Sequence, residues 1–473
     1  MDLSHTTADA LLANALARQR KAHQATPTPS YAERKADLLT IKRFIRENKE
    51  ALCEAINADY GHRSLHETLL AEIFPALEGV DYVIKHLKRW MRPQKRHVDQ
   101  RVFFGARNRV IPQPLGVVGV IVPWNFPVNL SLIPLTYIFA AGNRAMVKMS
   151  ENSRHLAKLM IEKMPAYFPV EKLQFFDETG GVGVEFSKLR FDHLLFTGSG
   201  ATGRSVMAAA AQNLCPVTLE LGGKSPAILC DDYPLRLAAE RILYVKYLNC
   251  GQICTTVDHV WMTKSRVPEF ITMARELLQA RYPTLESRDY TSIIDRRSFI
   301  RLMDALDEAR ERGAQVIPLL PGPAFDKANH RIAPHIVLNA PPDCALSRRE
   351  IFGPILPIYE YDRLEDVIDA INTGPKPLAI YPFSKKARIV EQLIDRVMSG
   401  GVSVNDALFH VGQHDLPFGG VGESGMGNYH GKEGFETFSK MRPVFYQANF
   451  TTLKFLMPPY GKFADRVLTM LTR

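Results

Sequence analysis

Leu115-Gly116-Val117-Val118-Gly119-Val120-Ile121-Val122 runs directly into Pro123-Trp124-Asn125-Phe126-Pro127. A continuous β-branched run closed by turn residues marks a strand buried on both faces rather than one with a wet side. Similar runs recur at residues 144–149 (RAMVKM), 191–197 (FDHLLFT) and 216–221 (PVTLEL). A helix-length segment separates each from the next, as the crossovers of a parallel sheet require. The pattern restarts with residues 226–229, a helical stretch at 235–248 and a strand at 260–262, so a domain boundary falls after Leu221. Upstream, Ser30 and Glu33 form a capping box before Leu38, Ile41, Ile45, Leu52 and Ile56, whose helical spacing ends at Asp59-Tyr60-Gly61. The expected fold class is α/β.

Bulk properties narrow the function. The chain has 473 residues, 46% hydrophobic and 23% charged, which suits an enzyme of two or three domains with a large core. Residues 110–143 carry no charge, but Pro112, Pro114, Pro123, Pro127 and Pro134 break the run, so it reads as strand, loop and buried helix rather than a membrane span. In the tail at 451–473, charged residues and prolines likewise interrupt any anchor. The N-terminus lacks a signal-peptide pattern. Six scattered cysteines, with no zinc-ligand spacing, predict free thiols, no metal and a cytoplasmic setting.

Most of the net charge of +9 sits in residues 85–109, where nine Lys/Arg face one acid, Asp99. Such a stretch can hold nucleic acid or a membrane surface. The plainer reading is a solvated helix end and linker with Trp90, Phe103 and Phe104 packed beneath it. No recognised nucleic-acid module accompanies the charge, so no nucleic-acid partner is expected.

Three segments carry chemistry. Asn249-Cys250-Gly251-Gln252-Ile253-Cys254 ends a helical pattern and presents a thiol, the most nucleophilic ordinary side chain once ionised. Taken alone, a lone cysteine such as Cys254 is more often buried and inert. Val217-Thr218-Leu219-Glu220-Leu221-Gly222-Gly223-Lys224 sets an acid among apolar neighbours, where desolvation suits Glu220 to general-base work. Asn125, projected between two prolines, offers uncharged N–H donors of the kind an oxyanion site needs.

In this order and combination, PWNFP, LELGGKSP and GQIC closely resemble the aldehyde dehydrogenase family, over residues 34–443. The resemblance implies that Cys254 is the nucleophile, Glu220 the general base and Asn125 the oxyanion donor beside the Cys254 N–H. It implies oxidation of a small-molecule aldehyde to the acid through a thiohemiacetal and a thioester. Gly198-Ser199-Gly200-Ala201-Thr202-Gly203 satisfies a dinucleotide fingerprint with Glu220 as its acid. That assignment fails, because one glutamate cannot hold a ribose and also serve the thioester. The resemblance instead gives Gly198, Ser199 and Gly203 to the cofactor turn, Lys148 and Glu151 to the adenosine ribose, and Trp124, Glu350 and Phe352 to the same cofactor. It implies NAD, with NADP possible. Met149 stands where the family's KPSE motif has proline.

The C-terminal motifs, 416–427 (LPFGGVGESGMG), 429–432 (YHGK) and 435–440 (FETFSK), resemble the class 3 branch and within it coniferyl aldehyde dehydrogenases, which implies an aromatic or unsaturated aldehyde. The alternative is a broad-specificity or long-chain aliphatic aldehyde enzyme. The implied architecture is a Rossmann-like NAD(P)-binding domain (1–94 and 115–222), a catalytic domain (223–424), a bridging β element (95–114 and 425–450) pairing strands across a homodimer, and a tail (451–473). Three rival readings each conflict with a residue already named. A coenzyme A-acylating dehydrogenase conflicts with Glu220, a thiol hydrolase with the matching cofactor positions, and a non-catalytic nucleic-acid or membrane-surface binder with the presence of Cys254, Glu220 and Asn125 together.

Overall fold

A computed structural model describes residues 8–473. The run at 115–122 forms the strand Val117–Ile121, buried at every position and central in a six-stranded sheet. Across that sheet the order is Gly425–Met426, Val217–Leu221, His193–Gly198, Val117–Ile121, Arg144–Lys148 and Leu173–Phe176. Its five longer strands run parallel, and Gly425–Met426 pairs antiparallel to Glu220 and Leu219. Leu173–Phe176 is too short for its apolar pattern to stand out in sequence. The charge-free segment continues into the helix Asn129–Ala140, buried from Ser131 to Ala140 with Pro134 inside it. Being apolar all round, it can only sit between layers.

A second sheet of seven strands lies beyond Leu221, in the order Gln315–Pro318, His335–Leu338, Ile355–Glu360, His259–Met262, Pro226–Leu229, Ala379–Phe383 and Gly401–Val402. The helix Leu235–Tyr247 packs on it and leads to the cysteine segment.

Three details depart from the sequence reading. The N-terminal helical run splits at Asn48 into Tyr31–Glu47 and Lys49–Tyr60, with the Asn48 amide donating to Phe44 O at 2.9 Å in competition with the helix. The basic stretch is not a plain linker: Gln94–Arg96 and Arg107–Pro114 join Ser439–Tyr446 in an antiparallel three-stranded sheet. Arg107 and Arg109 lie over the Tyr446 ring at 5.5 and 5.7 Å. Trp90 is buried and Phe103 meets Phe445 edge-on, but Phe104 is 62% exposed and packs beneath nothing.

Candidate active site

The cysteine segment leaves the helix Leu235–Tyr247 on the second sheet, and Cys254 packs against the core of the first. Asn249, Cys250 and Gly251 adopt left-handed backbone in succession, φ 50°, 54° and 74°. Only asparagine and glycine tolerate this readily, so the segment needs outside support. It comes from Glu67, which accepts from the Asn249 N–H at 3.1 Å and from the Thr291 hydroxyl at 2.5 Å. Gly251 is further required by contact: a Cβ there would lie 2.3 Å from Gly353 O, in the loop that carries Glu350 and Phe352. A Cβ on Gly222 would likewise lie 1.8 Å from a Glu350 carboxylate oxygen. Both glycines therefore let the Glu350 loop close over the strand of Glu220 and the loop of Cys254.

Asn125 is fixed from behind. Its carbonyl accepts from Arg63 Nη1 at 2.9 Å and Tyr60 Oη at 3.2 Å, and its side-chain Nδ2 donates to Gln252 O at 3.2 Å. Arg63 is fully buried, pairs with Glu72 at 3.2 Å and lies over the rings of Tyr60 and Phe126 at 5.0 and 4.9 Å. Glu72 sits on a π-helical turn, Leu69–Ile73, a distortion common at functional sites. Burial pushes Glu72 up to about 7, even with Arg63 and two backbone N–H groups opposing it, and pushes Glu67 up to about 7 as well. Arg63, Glu67 and Glu72 were not anticipated from sequence. Arg63 lies in the turn between the helices Lys49–Tyr60 and Leu65–Thr68, with Glu67 and Glu72 on the short helical turns that follow, and no motif frames them.

Glu220 stands at the end of Val217–Leu221, buried, with neither carboxylate oxygen hydrogen-bonded. Desolvation carries it well above the ordinary carboxylate range. The Cys254 thiol is pushed up to about 12, first by burial and then by the charges of Glu350 and Glu220, while Thr255 and the Cys254 N–H favour the thiolate. Glu350 rises to about 8 through burial and the nearby Asp258. Asp258 goes the other way. Burial opposes its charge, but Lys224 at 2.5 Å and His259 at 3.2 Å outweigh this and hold it well below the usual range.

The chain offers a cradle for a dinucleotide. Ser199 caps the twelve-residue helix Gly200–Ala211, accepting from Thr202 N at 3.3 Å, and Gly198 ends the preceding strand. A helix N-terminus at a strand end suits a pyrophosphate. At the end of Arg144–Lys148, beyond Val117–Ile121 in the sheet, Lys148 is buried against Glu178 and stands 4.0 Å from Glu151, so acceptors for ribose hydroxyls surround one cation. Glu178 was missed because no motif frames it. Glu350 keeps one buried oxygen unpartnered, and Phe352 meets Trp124 edge-on at 5.4 Å. The chemistry of these groups, a helix N-terminus, a cation among carboxylates and a free carboxylate oxygen, fits a dinucleotide. On the other side of Cys254 lies an apolar cavity of about 290 Å³, walled by Phe74, Phe126, Leu130, Ile133, Leu408 and Phe409.

This arrangement has known counterparts. The aldehyde dehydrogenase family model matches residues 2–444. A Pseudomonas aeruginosa protein named probable coniferyl aldehyde dehydrogenase is 46% identical, covering 96% of this chain and 95% of its own. The coniferyl aldehyde dehydrogenase of a Pseudomonas species is 41% identical over 97% and 96% of the two chains. The rat dimeric NADP-preferring aldehyde dehydrogenase is 37% identical over 91% and 93%. A substrate-bound structure of Staphylococcus aureus AldH superposes with TM-score 0.92 at 30% identity, covering 97% of this chain and 99% of that one. The chain belongs to the aldehyde dehydrogenase family. It is an NAD(P)-dependent oxidoreductase that acts on aldehydes.

Proposed function

We propose that the chain oxidises coniferyl-type aromatic aldehydes to their acids, with Cys254 as nucleophile, Glu220 as general base and Asn125 as oxyanion donor. The observation that carries this is the buried, unpartnered Glu220 carboxylate in electrostatic contact with the Cys254 thiol at the mouth of an apolar cavity. The Cys254 thiol gives its proton to water, Sγ then bonds to the carbonyl carbon, and the C=O π pair moves onto the oxygen. Asn125 Nδ2 and the Cys254 N–H donate to the oxyanion, a contribution of about 2.7–4 kcal/mol per donor. Bound NAD(P)+ supplies the hydride acceptor that converts this adduct to the oxidation level of a thioester. Glu220 then takes a proton from water as its oxygen attacks the acyl carbon, the C–S bond breaks, and Cys254 leaves as thiolate. The presence of this base favours hydrolysis over transfer to coenzyme A.

Gly198, Ser199 and Gly203 would hold the pyrophosphate turn, Lys148 and Glu151 the adenosine ribose, and Trp124, Glu350 and Phe352 the nicotinamide end. Two carboxylates, Glu151 and Glu178, beside Lys148 favour a ribose diol over a 2′-phosphate, hence NAD over NADP. The 46% and 41% identical relatives support the coniferyl reading, and the apolar cavity accommodates an aromatic ring. For quaternary structure, Ser439–Tyr446 is an eight-residue edge strand with Phe445 and Tyr446 exposed, a ready template for pairing in a homodimer. On this reading residues 1–94 with 115–222 bind cofactor, 223–424 carry Cys254, 95–114 with 425–450 bridge the subunits, and 451–473 form a tail. Among the described residues no helix is long and apolar enough to cross a membrane, and free thiols throughout favour the cytoplasm.

The deciding experiment compares NADH formation from coniferyl aldehyde and from aliphatic aldehydes by wild type and Cys254→Ser. Turnover of coniferyl aldehyde by wild type and its loss in the variant are expected. Unimpaired Cys254→Ser would refute the nucleophile assignment, and preference for long aliphatic chains would refute the substrate assignment.

A further inference from the structure

The aldehyde cavity is apolar except for a few side chains, and most of its amides are already engaged: Asn129 donates to Ala71 O at 2.8 Å and Gln413 to Phe409 O at 3.2 Å. His430 is different. It lines the cavity, is 6% exposed, and its ring makes no hydrogen bond, with Nδ1 buried and unpartnered. Tyr137 and Phe418 stack on it at 6.0 and 5.5 Å, and Tyr429 meets it edge-on at 4.6 Å. These are ring contacts without a hydrogen bond to His430, and the Tyr137 hydroxyl instead accepts from Gly431 N at 3.0 Å. The His430 backbone is held at φ 83°, a conformation that persists in an L residue only when the surroundings enforce it. His414, also lining the cavity with Nδ1 unpartnered, stands nearby, and burial together with His414 holds the His430 imidazole neutral, down to about 3. A neutral imidazole offers one donor and one acceptor, and buried polar atoms in folded proteins are nearly always satisfied.

We propose that His430 is a specificity-determining residue that hydrogen-bonds a phenolic hydroxyl on the ring of the aldehyde substrate, selecting hydroxylated aryl aldehydes over unsubstituted ones. This rests on the reading of the Cys254 cavity as the aldehyde site. A site built to bond a hydroxyl discriminates against the analogue lacking it, because its own buried polar group is then left unmet.

The test is a cycle of two substrates and two proteins. Steady-state kcat/KM is measured with 4-hydroxy-3-methoxycinnamaldehyde and with 3-methoxycinnamaldehyde, for wild type and His430→Phe. The ratio of the two values is expected to fall about tenfold in the variant, the worth of one hydrogen bond. Because it is a ratio within one protein sample, it is unaffected by a general loss of folded enzyme. An unchanged ratio overturns the assignment, whereas failure of wild type to oxidise either aldehyde overturns the underlying reading of the cavity. Should His430→Phe not fold, thermal melts of wild type with 4-hydroxy-3-methoxybenzyl alcohol and 3-methoxybenzyl alcohol decide instead. The hydroxylated alcohol is expected to raise the melting temperature more, and equal shifts overturn the proposal.

Discussion

Replacing Arg63 by Met leaves Glu72 buried without its cation, and the consequence depends on pH in a calculable way. In the wild type Glu72 rises from an ordinary value of 4.5 to about 7, through burial opposed by Arg63 and backbone donors. Its folded form thus binds more protons than the unfolded chain between those values, so stability falls across that window as pH rises and then levels off above pH 7. Without Arg63 the group stays protonated well past pH 7, and the fall continues. Each pH unit above 7 then costs the variant about 1.4 kcal/mol relative to wild type. Added to this is a pH-independent loss of about 1.5–3 kcal/mol for the charge-assisted bond from Arg63 to the Asn125 carbonyl, which keeps its bond from Tyr60 Oη. Other titrating groups cancel in the comparison. For a melting unit of 150–250 residues the difference in melting temperature should widen by about 3–6 °C per pH unit from 7 to 9. Thermal melts of both proteins at half-unit pH steps measure it. A difference that stays constant over that range would refute the claim that Arg63 is what keeps Glu72 ionised.

Three further outcomes are expected. Glu220→Gln should retain a pre-steady-state burst of NADH while steady turnover drops by about 10²–10⁴, as loss of a general base predicts, and stopped-flow absorbance resolves the two phases. The same substitution removes one charge that raises the Cys254 thiol, so iodoacetamide should alkylate Cys254 faster in the variant at a given pH, as followed by mass spectrometry. In the wild type Cys254 and Glu220 are both raised, so their protonated, inactive forms dominate at low pH; kcat/KM should rise from pH 6 to 9, and a profile falling over that range would contradict the assigned roles.

The strands that carry the site were readable because they are buried on both faces, so hydrophobic runs at 115–122, 191–197 and 216–221 stand out against polar turns. The motif residues were readable for a related reason. Gly222, Gly251 and Gly353 are small where the chain approaches itself, and that need is written locally even though the partner lies a hundred residues away. What could not be read was support at a distance. Arg63, Glu67 and Glu72 carry no motif and look like ordinary solvated charges, and their burial follows from how that segment packs against Asn125, Phe126 and Asn249. The basic stretch read by its charge alone as a linker, and only the family resemblance joined 95–114 with 425–450: its strands at 94–96 and 107–114 exist through pairing that extends to Ser439–Tyr446, some 330 residues on. Period-based reading sees one element at a time and has no access to such pairings.

The buried acids around Cys254 divide by whether they have partners. Asp258 is bound by Lys224 Nζ at 2.5 Å and by Ile351 N at 3.0 Å, so it stays charged and anchors the loop that carries Glu350. Glu72 has Arg63 and Asn129 N; Glu67 has Thr291 and Asn249 N. Each of these holds backbone in place, and a fixed set of partners is what such a role demands. Glu220 has none, and Glu350 keeps one oxygen free. An unmet buried carboxylate costs about 1–3 kcal/mol or more, a penalty that folding does not sustain for packing alone. A group that must take a proton from water, or receive a ribose hydroxyl, cannot have its lone pairs already committed. The absence of partners at Glu220 and Glu350 therefore argues for chemistry at those two positions, as firmly as the abundance of partners at Asp258, Glu67 and Glu72 argues for positioning.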